Sequence, residues 1–213
     1  MLSVGLTGGV ACGKSTIAAM FVEMGAYVVD ADRLVHELYR KGERVYHELV
    51  KHFGEGILRT DGEIDRTRLA ALAFDGGRVE ELNRIVHPAV GHRQREWISQ
   101  IVCGCPDAIT MVEAALILEA GGKGRYDKII VVTCAPEQKV ARYAARTGLL
   151  EAAARVEVER RSKAQMSDTE KAGLADYVID NSSALEATRL QVEKIFAELK
   201  PLAQASAGSR WQR

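Results

Sequence analysis

The chain has 213 residues, of which 47% are hydrophobic and 27% charged, values typical of a globular protein rather than a disordered one. Its 29 basic and 29 acidic residues cancel, which argues against a sequence-independent nucleic-acid binder, because such proteins carry a basic excess. No stretch approaches the roughly 20 apolar residues of a membrane span, and the apolar start at Leu2 is too short for a secretory signal. We predict a cytoplasmic protein without nucleic-acid or membrane partners, whose cysteines are free thiols.

Five short apolar runs predict the strands of a parallel sheet. They are rich in β-branched residues and are separated by helical patterns, as crossover connections require. The runs are LSVGLT from Leu2, AYVVD from Ala26, AITMVE from Ala108, KIIVVTC from Lys128 and YVID from Tyr177. We therefore predict an α/β fold, with a five-stranded parallel sheet and helices on both faces.

Two segments are too long for a single crossover helix, and we predict that they form inserted regions. About 80 residues separate the second and third strands, and their amphipathic patterns predict a helical lobe over 32–105. The segment 138–172 is rich in Arg, Glu and Ala, and its weak apolar stripe predicts solvated helices that move. The predicted core comprises 1–31, 106–137 and 173–202.

The last helical pattern runs from about Leu185 to Leu199. We predict that this helix packs back on the sheet and that Pro201 ends it, because proline cannot continue a helix without losing a hydrogen bond. The Ala-, Ser- and Gly-rich tail, 203–213, is predicted to be frayed.

The segment GLTGGVACGKST follows the first predicted strand and matches the phosphate-loop pattern GxxxxGK[ST] at Gly8, Gly13, Lys14 and Ser15. Glycines permit a tight turn whose backbone N–H groups converge on phosphate oxygens, and the helix predicted from Lys14 to about Met24 adds its positive dipole end. The Lys14 ammonium suits the β and γ phosphates of a nucleotide, and the Ser15 hydroxyl suits Mg²⁺. Because the motif lies between a strand and a helix, phosphate binding is favoured over a chance match.

Cys12 occupies a variable position of this loop, at which only the backbone N–H group is required. This favours a tolerated small residue over a nucleophile. A helix N-terminus can lower the pKa of a thiol, so a second hypothesis is that Cys12 is sensitive to alkylation and is protected by ATP.

Acidic residues end the second and third predicted strands, where ligands bind in open α/β sheets. A carboxylate of Asp30 or Asp32 could orient an acceptor hydroxyl and take its proton, although either residue could instead cap the next helix. Glu113 could hold metal-bound water or could be a solvated strand end. Glu119, in the following loop, is a weaker candidate.

Regulatory GTPases are a competing class of phosphate-loop proteins. They recognise guanine through NKxD and the γ phosphate through DxxG, and neither motif occurs in this chain. A small-molecule kinase is therefore favoured, with a nucleoside monophosphate kinase and a non-catalytic or switch-type ATP-binding protein as alternatives.

Several motifs, in this order, resemble those of bacterial dephospho-coenzyme A kinases. They are GLTGGVACGKST, VVDADRL, IDRTRLAALAF, the His87-Pro88 pair, EAALILEAGG, VVTCAPEQKVARYAAR, KAQM followed by Lys171, and ADYVIDN. The resemblance extends from Leu2 to about Leu199. It implies the P-loop NTP hydrolase fold and Mg²⁺-dependent transfer of the ATP γ-phosphoryl group to the ribose 3′-hydroxyl of dephospho-coenzyme A, giving coenzyme A and ADP.

The resemblance also implies roles for individual residues. The phosphates would be held by Gly8, Ala11, Cys12, Gly13, Lys14, Ser15 and Thr16. Asp32 would be the acceptor-hydroxyl base, and the lobe with Arg66, His87 and Pro88 would bind the acceptor. His87 could instead be a buried, hydrogen-bonded histidine, and Pro88 should bend or interrupt its helix. Magnesium would be held by Ser15, with Asp30 or Glu113 acting through water.

The segment 138–172 would be a lid that closes over the substrates. Within it, Arg142 and Arg146 lie four residues apart on one helical face and are predicted to clamp the transferring phosphate; the alternative is a solvated basic face. The lid looks a few residues longer than is usual in the family, which leaves open whether Arg155 or Arg161 takes the second phosphate-facing position. The adenine pocket is expected near the loop after Asn181.

The chain also departs from the family pattern outside the lid. Ala11-Cys12 stand where Gly-Ser is usual, and EAALILE stands where D-x-P-L-L-F-E is usual. Glu113 keeps the acid of that second motif, whereas Ala115 replaces its proline and leaves the local path of the chain open.

Overall fold

A five-stranded sheet organises the fold in a computed structural model that describes residues 1–210 and the side chains of residues 1–206. The strands are Leu2–Gly8 (β1), Tyr27–Asp30 (β2), Ile109–Glu113 (β3), Lys128–Thr133 (β4) and Tyr177–Asp180 (β5). They lie in the order β2-β3-β1-β4-β5; β1 pairs in parallel with β3 and β4, and β4 pairs in parallel with β5. The predicted α/β fold with a five-stranded parallel sheet is confirmed.

Burial explains why these apolar runs form strands. The central strands β3, β1 and β4 are buried along almost their whole length, whereas β2 and β5, at the edges, expose some of their residues. Strands covered on both faces are expected to be hydrophobic throughout, and Val4, Leu6 and Ile130 are fully buried. Each strand end lies within one residue of the predicted run.

The helices are Lys14–Glu23 (α1), Ala31–Leu38 (α2), Arg44–Phe53 (α3), Arg66–Phe74 (α4), Val79–Gly104 (α5), Pro136–Thr147 (α6), Glu151–Lys163 (α7), Asp168–Leu174 (α8) and Leu185–Arg210 (α9). Single 3₁₀ turns lie at Glu55–Ile57 and Gly122–Gly124. The predicted bounds of the first helix are confirmed, since α1 starts at Lys14 and Met24 is its C-cap. In the described part of the chain, none of the helices has both the length and the apolar character needed to span a bilayer.

The described chain forms two compact units, residues 1–29 with 101–210, and residues 30–100. The main core of the first unit includes Ile17, Phe21 and Met111. The second unit has its own core, which includes Leu49 and Leu69. The predicted lobe, 32–105, is similar to the second unit but also contains the end of α5, which belongs to the first. That the lobe binds the acceptor stays a prediction.

Two prolines lie inside helices that they were expected to disturb. The helix α5 continues through Pro88, and α9 continues through Pro201 to Arg210. The predicted end of the last helix at Pro201 is therefore wrong, and α5 shows no interruption. A proline removes one backbone hydrogen bond, but apolar side chains on both of its sides pack into the same cluster, as Leu199 and Ala203 do around Pro201. The frayed tail predicted over 203–213 is wrong for residues 203–210, which continue the helix α9, and residues 211–213 lie outside the described residues.

Candidate active site

The phosphate loop, residues 8–13, begins with the last residue of β1 and leads into α1. Gly8 and Gly13 have φ angles of 153° and 92°. A Cβ atom would lie 2.2 Å from the Val132 oxygen at Gly8 and 2.3 Å from Asn181 Nδ2 at Gly13, so both positions require glycine. Ala11 adopts a φ of 54°, a left-handed conformation that costs an alanine roughly 1 kcal/mol. This departure from the family pattern is thus accommodated by strain at one residue.

The Lys14 side chain lies on the phosphate loop. Its Nζ atom donates to the backbone oxygens of Gly8, at 3.0 Å, and Gly9, at 3.2 Å. Lys14 is also the first residue of α1, whose first turn has neither a side-chain cap nor an acidic residue. An ammonium group and the positive end of a helix dipole therefore meet at the same loop, a combination that attracts phosphate.

A hydroxyl and a carboxylate meet beside the loop. Ser15 Oγ donates to Glu113 Oε1 at 2.7 Å. Glu113 ends β3, and Leu6 of β1 is its partner in the sheet register, so the fold brings the third strand's last residue to the phosphate loop. Because Glu113 is only 8% exposed, the alternative of a solvated strand end is wrong.

Arg142 and Asn181 brace the loop from α6 and from the end of β5. The Cys12 oxygen accepts hydrogen bonds from Asn181 Nδ2 at 2.8 Å and from Arg142 Nη1 at 3.3 Å, and Arg142 Nη2 donates to the Asn181 oxygen at 3.0 Å. Asn181 is 4% exposed and accepts a further bond from Thr188 Oγ1. The sequence pointed to the loop after Asn181 as the adenine neighbourhood and gave no indication of this bracing role, apart from an apolar strand that is followed by an amide residue.

The other lid arginines are engaged within the segment 136–172. Arg146 lies over the ring of Tyr143, with its guanidinium carbon 5.2 Å from the ring centroid, and Arg161 covers the same ring at 5.6 Å. Arg155 donates two hydrogen bonds to Glu137, which raise the pKa of Arg155. Of Arg142, Arg146, Arg155 and Arg161, only Arg142 has a hydrogen bond to the phosphate loop within the described part of the chain.

Cys12 is fully buried. Burial raises the pKa of its thiol, and the nearby Lys14 ammonium only partly opposes that effect. This direction is opposite to the lowered pKa on which the hypothesis of an alkylation-sensitive Cys12 depends, and the sensitivity itself stays a prediction. The Cys12 side chain belongs to the main core cluster, and its sulfur lies 4.0 Å from Lys14 Nζ.

The chain after β3 is held by a buried lysine. Lys171 is fully buried, donates to the Ala115 oxygen at 3.0 Å, and forms an ion pair with Glu119 at 2.9 Å. Thr7 Oγ1 donates to the same Ala115 oxygen. These contacts fix the local path where the family's proline is missing, and they give Glu119 a structural partner.

Asp30 and Asp32 have different roles at the start of α2. Asp30 is the N-cap of the helix, and its carboxylate accepts a hydrogen bond from the Asp32 N–H at 2.8 Å. Asp32 lies in the first helical turn, and its side chain is exposed. The capping alternative therefore applies to Asp30 and not to Asp32, whose carboxylate is available for chemistry.

A cavity of about 280 Å³ lies in the second unit and is lined by His36, Tyr39, Arg59, Glu63, Ile64 and Arg66. Of the predicted acceptor-binding residues, Arg66 lines this cavity. Burial raises the pKa of Tyr39 to about 12, so its hydroxyl is a donor at neutral pH. His87 and Pro88 are exposed on α5, which excludes the alternative of a buried histidine. The sequence did not point to His36, Tyr39 or Arg59.

Known proteins resemble this chain over most of its length. A family model described as Dephospho-CoA kinase matches residues 2–187. The dephospho-CoA kinase of Aquifex aeolicus is 46% identical over 200 residues, which cover 93% of this chain and 98% of that protein. The dephospho-CoA kinase of Syntrophus aciditrophicus is 38% identical over 216 residues, which cover 100% of this chain and 90% of that protein.

Two solved structures are similar to the chain in fold. The structure of TT1252 from Thermus thermophilus has a TM-score of 0.79 and 34% identity, and the match covers 93% of this chain and 97% of that one. The dephospho-CoA kinase from Campylobacter jejuni has a TM-score of 0.65 at 22% identity, with coverage of 93% and 97%, and thus shares the fold.

Proposed function

Because this chain belongs to the dephospho-CoA kinase family, we propose that it transfers the γ-phosphoryl group of ATP to the ribose 3′-hydroxyl of dephospho-coenzyme A. The products are coenzyme A and ADP, in the last step of coenzyme A biosynthesis. The 3′ oxygen forms a bond to the γ phosphorus, the bond from that phosphorus to the β–γ bridging oxygen breaks, and the hydroxyl proton goes to a base. The observation that supports this most strongly is the 46% identity to a kinase of that name over 93% of the chain.

The phosphate loop and its neighbours bind the ATP phosphates in this proposal. Gly8 and residues 11–16 surround the phosphates with backbone N–H groups. The Lys14 ammonium exchanges its bonds to the loop oxygens for bonds to phosphate, where charge redistributes during transfer. Arg142 and Arg146 act as the cationic clamp, and the hydrogen bond from Arg142 to the Cys12 oxygen supports the first of these assignments.

Magnesium is the metal expected at this loop. Ser15 Oγ and Glu113 Oε1 are hard oxygen atoms 2.7 Å apart, and Mg²⁺ is usually held by one or two protein oxygens together with water and substrate phosphates. The residues present therefore fit this ion, and Asp30 is a further candidate to act through water. When bound, Mg²⁺ would reduce the negative charge on the β and γ phosphates.

The second unit binds the acceptor. We assign Asp32 as the base that takes the 3′-hydroxyl proton, because its carboxylate is exposed while its neighbour Asp30 is used as a cap. Arg66 and the cavity beside it offer a cation and the hydroxyl of the half-buried Tyr39 to an anionic substrate, and His87 with Pro88 extends this acceptor surface. Residues 138–172 are the lid, which would exclude water so that ATP is not hydrolysed.

The loop after β5 is the expected adenine neighbourhood. Gln138 Nε2 donates to the Ser182 oxygen at 2.6 Å. Gln138 Oε1 is buried and has no hydrogen-bond partner among the described residues, so it could accept from the adenine amino group.

The four cysteines are free thiols, which favours a reducing compartment, and we place the reaction in the cytoplasm.

An ADP-release assay with a set of acceptors tests the proposed function. We expect dephospho-coenzyme A to stimulate ADP release strongly, and AMP or buffer alone to leave it at the background rate. If only a nucleoside monophosphate stimulated ADP release, the acceptor would be that nucleotide and not dephospho-coenzyme A. ATP binding without acceptor-stimulated turnover would indicate a non-catalytic ATP-binding protein.

A further inference from the structure

An ion pair outside the phosphate-loop motif lies directly against the loop. Lys139, on α6, and Asp168, the first residue of α8, are 2.5 Å apart between Nζ and Oδ2. A Cβ atom placed on Gly9 would be 2.7 Å from Asp168 Oδ1 and 3.0 Å from Lys139 Nζ. The pair therefore occupies the space beside the second residue of the loop, and a Cβ atom at Gly9 would force the end of the Asp168 side chain to shift.

Two ammonium groups thus flank Gly9. Lys14 Nζ lies 3.2 Å from the Gly9 oxygen, and Lys139 Nζ lies on the side of the missing Cβ atom. The Lys139 and Asp168 side chains are only 11% and 26% exposed, so solvent screens their charges less than it screens those of a surface pair. A carboxylate this close to a phosphate-binding loop would repel a nucleotide if the neighbouring ammonium did not neutralise it.

We propose that Lys139 is a second phosphate-binding cation of this loop, and that Asp168 holds Lys139 in position but competes with the nucleotide phosphates for it. This inference rests on the proposed ATP-dependent reaction. The Lys139 ammonium has three donor hydrogens, so it can keep one bond to Asp168 while it donates to a phosphate oxygen. The phosphates gain a charge-assisted hydrogen bond, and the negative charge of Asp168 limits how tightly they are held.

The proposal requires that substitutions of the two partners have opposite effects on ATP affinity. Lys139→Met removes the cation and should raise the ATP dissociation constant about tenfold, the order expected for one charge-assisted hydrogen bond. Asp168→Asn removes the competing charge and should lower this constant about threefold. An ion pair that only joins α6 to α8 would instead weaken ATP binding, or leave it unchanged, whichever partner is lost.

ATP binding by calorimetry on the full chain measures both effects, with inorganic tripolyphosphate as a competitor that reports phosphate recognition alone. Lys139→Arg, which keeps the cation, should restore most of the affinity, and tripolyphosphate should lose the same factor as ATP in Lys139→Met. Lys128→Met is the matched control, because Lys128 is also paired with an aspartate but begins β4, in the register opposite Val4 rather than the loop. This variant should bind ATP like the parent chain.

Unchanged ATP affinity in Lys139→Met, or an affinity in Asp168→Asn that does not increase, overturns the proposal. Turnover with dephospho-coenzyme A separates this failure from that of the proposed function. If the parent chain phosphorylates dephospho-coenzyme A and Lys139→Met binds ATP normally, only the role of Lys139 is rejected. If the parent chain does not turn over this acceptor, the proposed function fails, whatever the affinities are.

Discussion

The phosphate loop and the second unit hold their proposed site residues in different ways. Around the loop, Glu113 and Asn181 are buried and hydrogen-bonded, and Arg142 is bonded to the Cys12 oxygen. In the second unit, the side chains of Asp32, Arg66 and His87 are exposed. The loop is preorganised by the fold, so changes beside it should affect both stability and nucleotide binding. Changes at the exposed residues should affect catalysis or acceptor binding alone.

The largest expected effect is at the loop itself. Lys14→Ala should lower turnover by about 10³-fold, because the Lys14 ammonium, which is bonded to the Gly8 and Gly9 oxygens, can follow charge on the transferring phosphate. Single-turnover phosphoryl transfer at saturating ATP measures this loss directly. A near-normal rate in this variant would show that Lys14 does not contribute to phosphoryl transfer.

Asp32→Asn tests the exposed site residues of the second unit. It should lower kcat by about 10²-fold while ATP affinity and thermal stability stay near those of the parent chain, since the side chain caps no helix and is exposed. Steady-state kinetics and a melting curve measure the two parts, and Asp30→Ala, which removes the cap, is the paired control for stability. A parallel loss of ATP binding in Asp32→Asn would indicate a metal or structural role.

Glu113→Gln tests the metal part of the site. It keeps the shape and can still accept the Ser15 hydrogen bond, but it removes a negative charge next to the proposed ion. We expect the Mg²⁺ concentration for half-maximal activity to rise about tenfold, the effect of one lost charged ligand in the outer shell. A magnesium titration at fixed ATP is the measurement, and an unchanged requirement would exclude Glu113 from metal binding.

Asn181→Ala tests whether Asn181 supports the phosphate loop or takes part in the chemistry. It leaves the Cys12 oxygen and the Thr188 hydroxyl with one partner fewer, which should cost about 1–3 kcal/mol in the free energy of unfolding. The KM for ATP should rise several-fold, with kcat at saturating ATP much less affected, because the loop is less well ordered. Thr188→Val, which removes only the supporting bond, should show the same pattern more weakly. A reduced kcat with normal stability would mean that Asn181 takes part in the chemistry.

The smallest effect concerns the thiols. Because burial raises the pKa of Cys12, its thiolate fraction at pH 8 is lower than that of an ordinary cysteine. Cys103 is exposed and should be alkylated first, with Cys12 modified only on unfolding. Peptide mass mapping after brief iodoacetamide treatment identifies the order, and early modification of Cys12 would show that the loop opens.

The features that the sequence predicted are those with a local pattern. Continuous apolar runs predicted the strands, and the spacing of Gly8, Gly13, Lys14 and Ser15 predicted the loop, because each depends on neighbours within about a dozen residues. The bracing of Cys12 by Asn181 joins residues 169 positions apart, and the pairs Lys139–Asp168 and Lys171–Glu119 depend on how helices pack. No local pattern encodes such contacts.

The wrong predictions followed rules that hold for local sequence but that tertiary packing overrides. Proline ends many helices, but at Pro201 the burial of Leu199 and Ala203 outweighs the lost hydrogen bond. A helix N-terminus can activate a thiol, but the burial of Cys12 raises its pKa instead. Asp30 and Asp32 were equally acceptable caps by residue type, and only the backbone geometry distinguishes them.

The most direct test of the central claim is the position of the transferred phosphate. Incubation of the full chain with Mg²⁺, ATP and dephospho-coenzyme A, followed by phosphorus NMR of the purified product, measures it. We predict one new phosphomonoester on the ribose 3′ oxygen for each ADP formed. A phosphate on any other atom, or ADP formed without a phosphorylated acceptor, would contradict the account.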